Sequence, residues 1–358
     1  MSLPNPRSTV SRMAGYTPGE QPKPGERIIK LNTNENPYAP SPRVLEAIRA
    51  IDPHALRRYP QPMADDFRAV AARSHGVQQE SILAGNGSDD ILQIALRTYC
   101  AAGDVLASPE PTYSLYPVLA ELADVRFTTV PWGPNWSLPI DALLATDARA
   151  IFFANPNAPS GTWVDADAVS TLAAHTDALV LVDEAYVDFA DANCLGLLAR
   201  HDNVLITRTL SKGYGLAGLR FGYAIGHPST IQQMTKVKDS YNCDAIAIAA
   251  ASAALDDQTY ARECWTAVRQ QRDRLTVDLT RRGFFVLPSQ GNFVLATVPG
   301  EGDAAWIYDA LKTRGLLVRF FDKLGLRDKL RITVGTADEN DALLGAIDGV
   351  LLGPADGT

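Results

Sequence analysis

The sequence predicts an α/β fold: a large unit with a mostly parallel sheet wrapped by helices, then a smaller α+β unit. Three observations carry this. From about residue 41 to 225, helical periodicity alternates with short apolar runs, the rhythm of parallel strands joined by crossover helices. After residue 284 that rhythm gives way to strands interleaved with two helices. The length, 358 residues, exceeds one ordinary domain.

Taken in order, the first forty residues are rich in Pro, Gly and Asn (Pro18, Pro22, Pro24, Gly25, then Asn32 to Pro42) and read as an extended arm. Helical periodicity covers 42–51, 65–75 and 88–99, the last opened by Gly85-Asn-Gly87. Strand-like runs follow at 105–107, 126–130, 150–154, 179–182, 204–207 and 221–225, with helical segments between several, notably 114–122 and 166–174. Residues 237–255 and 259–282 read as two long helices leading away from the sheet. The remainder gives strands at 284–287 and 293–297, a helix near 303–314, strands near 317–320 and 330–334, and a last helix from Asp338. The expected division is an arm, 1–40, that packs with the small unit; a large unit, 41–258; and a small unit, 259–358.

Composition narrows the classes. A 46% hydrophobic content supplies a sizeable core, and a net charge of −8 argues against a general nucleic-acid binder. Cys100, Cys194, Cys243 and Cys264 lie far apart with no C-x-x-C pair, so neither a disulfide framework nor a metal site is expected, and a reducing cytoplasm fits. No apolar stretch has signal-peptide or membrane-span length, so no membrane partner is expected.

The chemistry concentrates at Thr209-Leu-Ser-Lys-Gly-Tyr-Gly-Leu-Ala-Gly-Leu-Arg220. A lysine amine forms a Schiff base with an aldehyde when it is partly deprotonated. Thr209, Ser211 and Arg220 around Lys212 are donors suited to a phosphate. An aldehyde and a phosphate on one small molecule describe pyridoxal 5′-phosphate (PLP). Upstream, Gly85-Asn-Gly-Ser-Asp-Asp90 opens a helix, where free N–H groups make an anion site for Gly87, Ser88 and Asp89 to use; the same pattern also describes an ordinary capped helix. Asp183 ends the run Ala-Leu-Val-Leu-Val-Asp, so its carboxylate should emerge at the carboxyl end of a buried strand, where open α/β sheets bind ligands. There it can pair with a pyridinium nitrogen, and Tyr186 can reach the ring hydroxyl.

Together these segments resemble the fold-type I PLP-dependent aminotransferases, and most of all the histidinol-phosphate aminotransferases, over about residues 16–352. The resemblance implies a seven-stranded large-domain sheet and a homodimer with shared active sites. It implies Lys212, Asp183 and Tyr186 as catalytic residues. Tyr113, in Pro-Glu-Pro-Thr-Tyr113, matches the aromatic residue stacked on the pyridine, and Tyr59 matches a tyrosine that crosses the dimer interface to the partner's cofactor phosphate. Asn155-Pro-Asn-Ala-Pro-Ser-Gly161 is similar to the family's N-P-x-N-P-T-G loop, but Ala158 stands where an asparagine normally donates to the ring oxygen. Either Asn157 shifts in to take that role, which is the expectation here, or Tyr186 carries it alone. Arg331 matches the arginine that grips the substrate carboxylate, Arg319 a second anion-binding arginine, and Tyr16 and Asn36 lie in the arm that closes over substrate in relatives.

The implied reaction transfers an amino group between L-histidinol phosphate and 2-oxoglutarate. Similar proteins instead transaminate phenylalanine or tyrosine, or decarboxylate threonine phosphate. A non-catalytic PLP-fold regulator carries a DNA-binding domain ahead of this fold, for which the forty-residue arm is expected to leave no room.

Overall fold

A computed structural model describes residues 4–23, 25–300 and 303–351. Its main sheet has seven strands: β1 (Ile82–Gly85), β2 (Val105–Glu110), β3 (Arg126–Pro131), β4 (Ala150–Ala154), β5 (Leu179–Asp183), β6 (Val204–Thr209) and β7 (Gly222–Gly226). Their spatial order is β1-β7-β6-β5-β4-β2-β3. Neighbours run parallel except around β7, which is antiparallel to both β1 and β6. This is the mostly parallel sheet that the sequence predicts.

Successive strand residues point to opposite faces, and the core divides accordingly. Ile151, Phe153, Val180, Val182, Val204 and Ile206 pack on one face. Ala150, Phe152, Leu179, Leu181 and Leu205 pack on the other. Helices cover both sides, so the central strands read as unbroken apolar runs. A third core, including Leu31, Leu275, Val294, Ile307, Leu330 and Leu343, fills the C-terminal unit. That unit has a four-stranded antiparallel sheet containing Phe293–Thr297 and Lys329–Thr333. The arm joins it: Ile29 and Lys30 pair in parallel with Leu316 and Leu317.

Two sequence expectations need correction. Residues 237–255 are not one helix: helix Pro228–Thr235 ends before them, and helix Ala245–Asp256 begins only at the Asp244 cap, whose carboxylate accepts from the Ala247 N–H. Asn242 anchors the break by donating to the Ala84 carbonyl (3.1 Å) and Asp90 (3.0 Å). Residues 317–320 are not one strand, because Leu316–Leu317 serves the arm while Arg319–Phe320 joins the antiparallel sheet. Pro24 and the last residues of the predicted small unit, 352–358, lie outside the described residues.

Candidate active site

The carboxyl ends of the parallel strands converge on one cavity of about 330 Å³. Glu110, Ala154, Asp183 and Thr209, the last residues of β2, β4, β5 and β6, all line it. The register sets Asp183 beside Ala154 on one side and Thr207 on the other. This is where an open parallel sheet presents unpaired backbone ends to a ligand.

Lys212 follows β6 directly and projects into this cavity. Its Nζ donates to the Thr33 carbonyl at 2.9 Å, so the arm meets the lysine head-on. Burial, assisted by the Arg331 charge, pulls the amine down to about 8 from an ordinary 10.5. At pH 7 about a tenth of Lys212 is then neutral, against roughly one part in three thousand unshifted. Attack on an aldehyde uses the neutral amine, so the sign is clear. The rate at which cofactor-free protein captures PLP should rise about tenfold per pH unit below 8 and level off above it. Stopped-flow absorbance between pH 6 and 9.5 measures this; a rise continuing to pH 9.5 would show an unshifted amine.

Asp183 is 3% exposed and accepts three hydrogen bonds: from the Tyr116 hydroxyl (3.0 Å), the Thr207 hydroxyl (3.1 Å) and the Ala185 N–H (3.2 Å). Burial pushes its carboxyl up to about 6, and these bonds oppose the push. Tyr186 packs edge-on against Phe293, and Lys212 Nζ lies 5.8 Å from the Tyr186 ring centre. The Tyr186 hydroxyl accepts from Asn34 Nδ2 at 3.1 Å. Asn34, which no sequence motif singled out, adopts a left-handed φ of 56° that asparagine tolerates well. The repeated asparagines of Leu31-Asn-Thr-Asn-Glu-Asn36 were the available signal.

The anion site forms where helix Ser88–Tyr99 meets the loop after β6. Gly87 caps that helix at φ 89°, and a Cβ there would stand 2.7 Å from the Arg220 guanidinium. Arg220 donates to Ser211 Oγ and to Asp89 Oδ2, both at 3.4 Å. The Asp89 carboxylate also accepts from the Tyr113 hydroxyl at 3.3 Å. Asp89 can therefore offer an anion its backbone N–H, while its carboxylate orients Arg220 and Tyr113. Thr209 is similarly committed, donating to the Phe221 carbonyl at 3.3 Å.

Arg319 and Arg331 face each other in register across two antiparallel strands. Each guanidinium lies 5.4 Å from the Phe321 ring, and Arg331 also lies 5.4 Å from Phe293. Arg331 makes one hydrogen bond, to the Asn32 carbonyl at 3.0 Å. Among the described residues neither arginine has a carboxylate partner. Tyr16 lines the same cavity, edge-on to Tyr113 at 6.4 Å.

Four expected residues do not line it: Gly87 sits just behind Ser88 and Asp89, which do, and three others lie elsewhere. Asn157 is fully buried, with its Nδ2 donating to Ser160 Oγ (2.8 Å) and the Pro111 carbonyl (3.3 Å); Ala158 lines the cavity instead. The substitution in the loop is thus not made good by its neighbour, because those internal bonds take the amide. Asn36 donates to the carbonyls of Lys212 and Gly213, both at 3.0 Å, so it holds the lysine loop from outside the cavity lining. Tyr59 is 80% exposed and stacks on Tyr241 at 4.4 Å, away from its own chain's cavity. Conversely, Glu35, Glu110 and Lys323 line the cavity and were not anticipated.

The sequence pattern of the aminotransferase class I and II family matches residues 26–347. The chain belongs to that family. It is 46% identical to histidinol-phosphate aminotransferase 1 of Trichormus variabilis over 345 residues, 96% of this chain and 98% of that protein. Against the histidinol-phosphate aminotransferase of Rhodopirellula baltica it is 45% identical, covering 94% of this chain and 93% of that one. The crystal structure of histidinol-phosphate aminotransferase from Sinorhizobium meliloti, in complex with pyridoxal-5′-phosphate, superimposes with a TM-score of 0.87 at 28% identity, covering 97% of each chain. This aminotransferase has no helix among its described residues long and apolar enough to cross a membrane.

Proposed function

We propose that this PLP-dependent aminotransferase moves an amino group from L-histidinol phosphate to 2-oxoglutarate, giving imidazole-acetol phosphate and L-glutamate. The observation that carries the reading is the pair Arg319 and Arg331, unpaired with any carboxylate among the described residues and lining the same cavity as Lys212. The donor set fits PLP: a partly neutral lysine, a buried carboxylate, and an anion site built from a helix N-terminus, Ser211 and Arg220. When bound, PLP supplies an aldehyde that joins amines and a ring that accepts the electron pair left at Cα.

In this reading Ser88, Ser211, Arg220 and the N–H groups at Gly87 and Asp89 hold the cofactor phosphate. Tyr113 would pack against the ring, and Tyr186, whose hydroxyl Asn34 holds, would meet the ring hydroxyl. Asp183 keeps the ring nitrogen protonated. Lys212 Nζ would take the substrate Cα proton and return one to the carbon that receives the amino group. Histidinol phosphate has no carboxylate, so Arg331 and Arg319 meet its phosphate in one half-reaction and the glutamate carboxylate in the other, with Tyr16 closing over them. We place the division between large and small units at residues 258 and 259, where helix Gln258–Arg281 begins. The four free thiols support a cytoplasmic setting.

Removing Arg319 should hurt histidinol phosphate more than glutamate, and removing Arg331 should hurt both. Each loss of a charge-assisted hydrogen bond in a closed site is worth roughly 1.5–3 kcal/mol, about ten- to a hundred-fold in kcat/KM. Half-reactions followed by cofactor absorbance with histidinol phosphate, phenylalanine and glutamate decide this. Far better turnover of phenylalanine by the wild-type enzyme would replace the assignment with an aromatic amino-acid aminotransferase.

Tyr59 we assign to the cofactor phosphate of a partner subunit in a homodimer, on its exposure and its distance from its own chain's site. Mixing inactive Lys212→Ala protein with a severely impaired Tyr59→Ala protein should then restore activity, since one site of each heterodimer carries neither defect. Demonstrated subunit exchange without recovery would return Tyr59 to its own subunit.

A further inference from the structure

We propose that Tyr116 is a positioning residue for the reaction, acting through Asp183: its hydroxyl fixes one carboxylate oxygen and keeps the group ionised against the ring nitrogen. The inference rests on assigning Asp183 to that nitrogen.

Tyr116 lies in the first turn of helix Leu115–Leu122 and is 0% exposed. Its hydroxyl donates to Asp183 Oδ2 at 3.0 Å. The other oxygen, Oδ1, receives the Thr207 hydroxyl and the Ala185 N–H. A carboxylate met by three donors is an acceptor-only arrangement, which the ionised form satisfies and a protonated acid does not. The surroundings work the other way. Burial raises the carboxyl, the Asp89 charge adds to the rise, and the nearby Tyr113 and Tyr186 rings bring no positive charge. Tyr116 supplies the bond that most strongly opposes burial. Without it, a carboxyl already held at about 6 moves toward the neutral form at pH 7, and a neutral acid cannot hold a pyridinium proton.

The location also explains how the fold delivers this hydroxyl. Tyr113 lines the cavity just ahead of the helix, and Tyr116, three residues on, packs behind it, edge-on at 5.6 Å. Its far side rests edge-on against Phe152 of β4 at 5.8 Å. Both ring contacts survive in phenylalanine, so Tyr116→Phe removes the hydroxyl while leaving the packing.

The test uses the full chain without and with PLP. In cofactor-free protein, carboxyl ¹³C NMR follows Asp183, identified by its loss in Asp183→Asn. Tyr116→Phe should titrate about one unit higher than wild type. The PLP dissociation constant should weaken about tenfold, and kcat should fall similarly with KM for the amino donor little changed. In an Asp183→Asn background, adding Tyr116→Phe should change PLP affinity and kcat by less than about twofold. An unchanged Asp183 titration in folded Tyr116→Phe protein, or an equally large effect in the Asp183→Asn background, overturns the role of Tyr116 and leaves the reading of Asp183 standing. If Asp183→Asn alone binds PLP and turns over the amino donor like wild type, the ring-nitrogen assignment itself falls, and this inference with it.

Discussion

Lys212→Ala is expected to end transamination while the protein still folds. In the proposed mechanism the residue carries two tasks, covalent attachment of PLP and proton transfer at Cα, and the second alone accounts for about 10²–10⁴-fold in rate. The structure offers no substitute at the same place: Lys323 is the other lysine lining the cavity among the described residues, and it sits on the loop after Arg319, on the small-unit side. Folding should not suffer. Lys212 is held below its ordinary 10.5, so burying it opposes folding in full below about pH 8, an opposition that fades as pH rises toward 10.5. The cofactor-free variant should therefore melt at the same temperature as wild type or higher at pH 7. PLP should still bind through its phosphate contacts, without the visible band of a lysine adduct. Borohydride reduction followed by peptide mapping locates any covalent attachment. Label recovered on Lys323 or any other lysine would show that the attachment site is misassigned.

Asp183→Asn comes next in size. An amide keeps the shape of the carboxylate and can still accept from Thr207 and the Ala185 N–H, so the fold should persist and PLP should still bind through its phosphate contacts, about tenfold or more weakly. It cannot hold a proton on the ring nitrogen, because it carries no charge to stabilise the pyridinium. Loss of a preorganised electrostatic group of this kind costs roughly 3–4 kcal/mol, about 10²–10³-fold. Single-turnover rates with saturating amino donor measure the chemical step directly. A variant within about tenfold of wild type would remove Asp183 from the mechanism.

Much of this was open to the sequence because it depends on local pattern. Alternation of apolar runs with helical periodicity marked six of the seven strands of the main sheet, since every central strand is buried on both faces and reads as an unbroken apolar run; the short edge strand Ile82–Gly85 was not among them. Helices 65–75, 88–99 and 166–174 end where their periodicity ends. The failures also have causes. Residues 237–255 are apolar enough for one helix, yet Asn242 finds better partners on β1 and helix Ser88–Tyr99, a contact no local window contains. Asn157 looked like a stand-in for the missing asparagine because it is adjacent in sequence. Its amide was already taken by Ser160 and Pro111, whose carbonyl comes from 46 residues away.

The sequence by itself determined the fold class and the family, and it picked out the lysine, aspartate and arginines that the structure brings to one cavity, because each is tied to a short motif or to the end of an apolar run. Tertiary structure alone decided how those residues behave. Lys212 becomes a partly neutral amine because the arm closes over it and Arg331 stands nearby; both come from segments far from it in sequence, the Thr33 carbonyl 179 residues away. Asp183 becomes a fully enclosed acceptor because Tyr116, 67 residues away, reaches it from the neighbouring helix. Asn34 reaches Tyr186 across 152 residues. Charge state follows burial and partners in space, and those exist only once the sheet and the small unit have brought distant segments together.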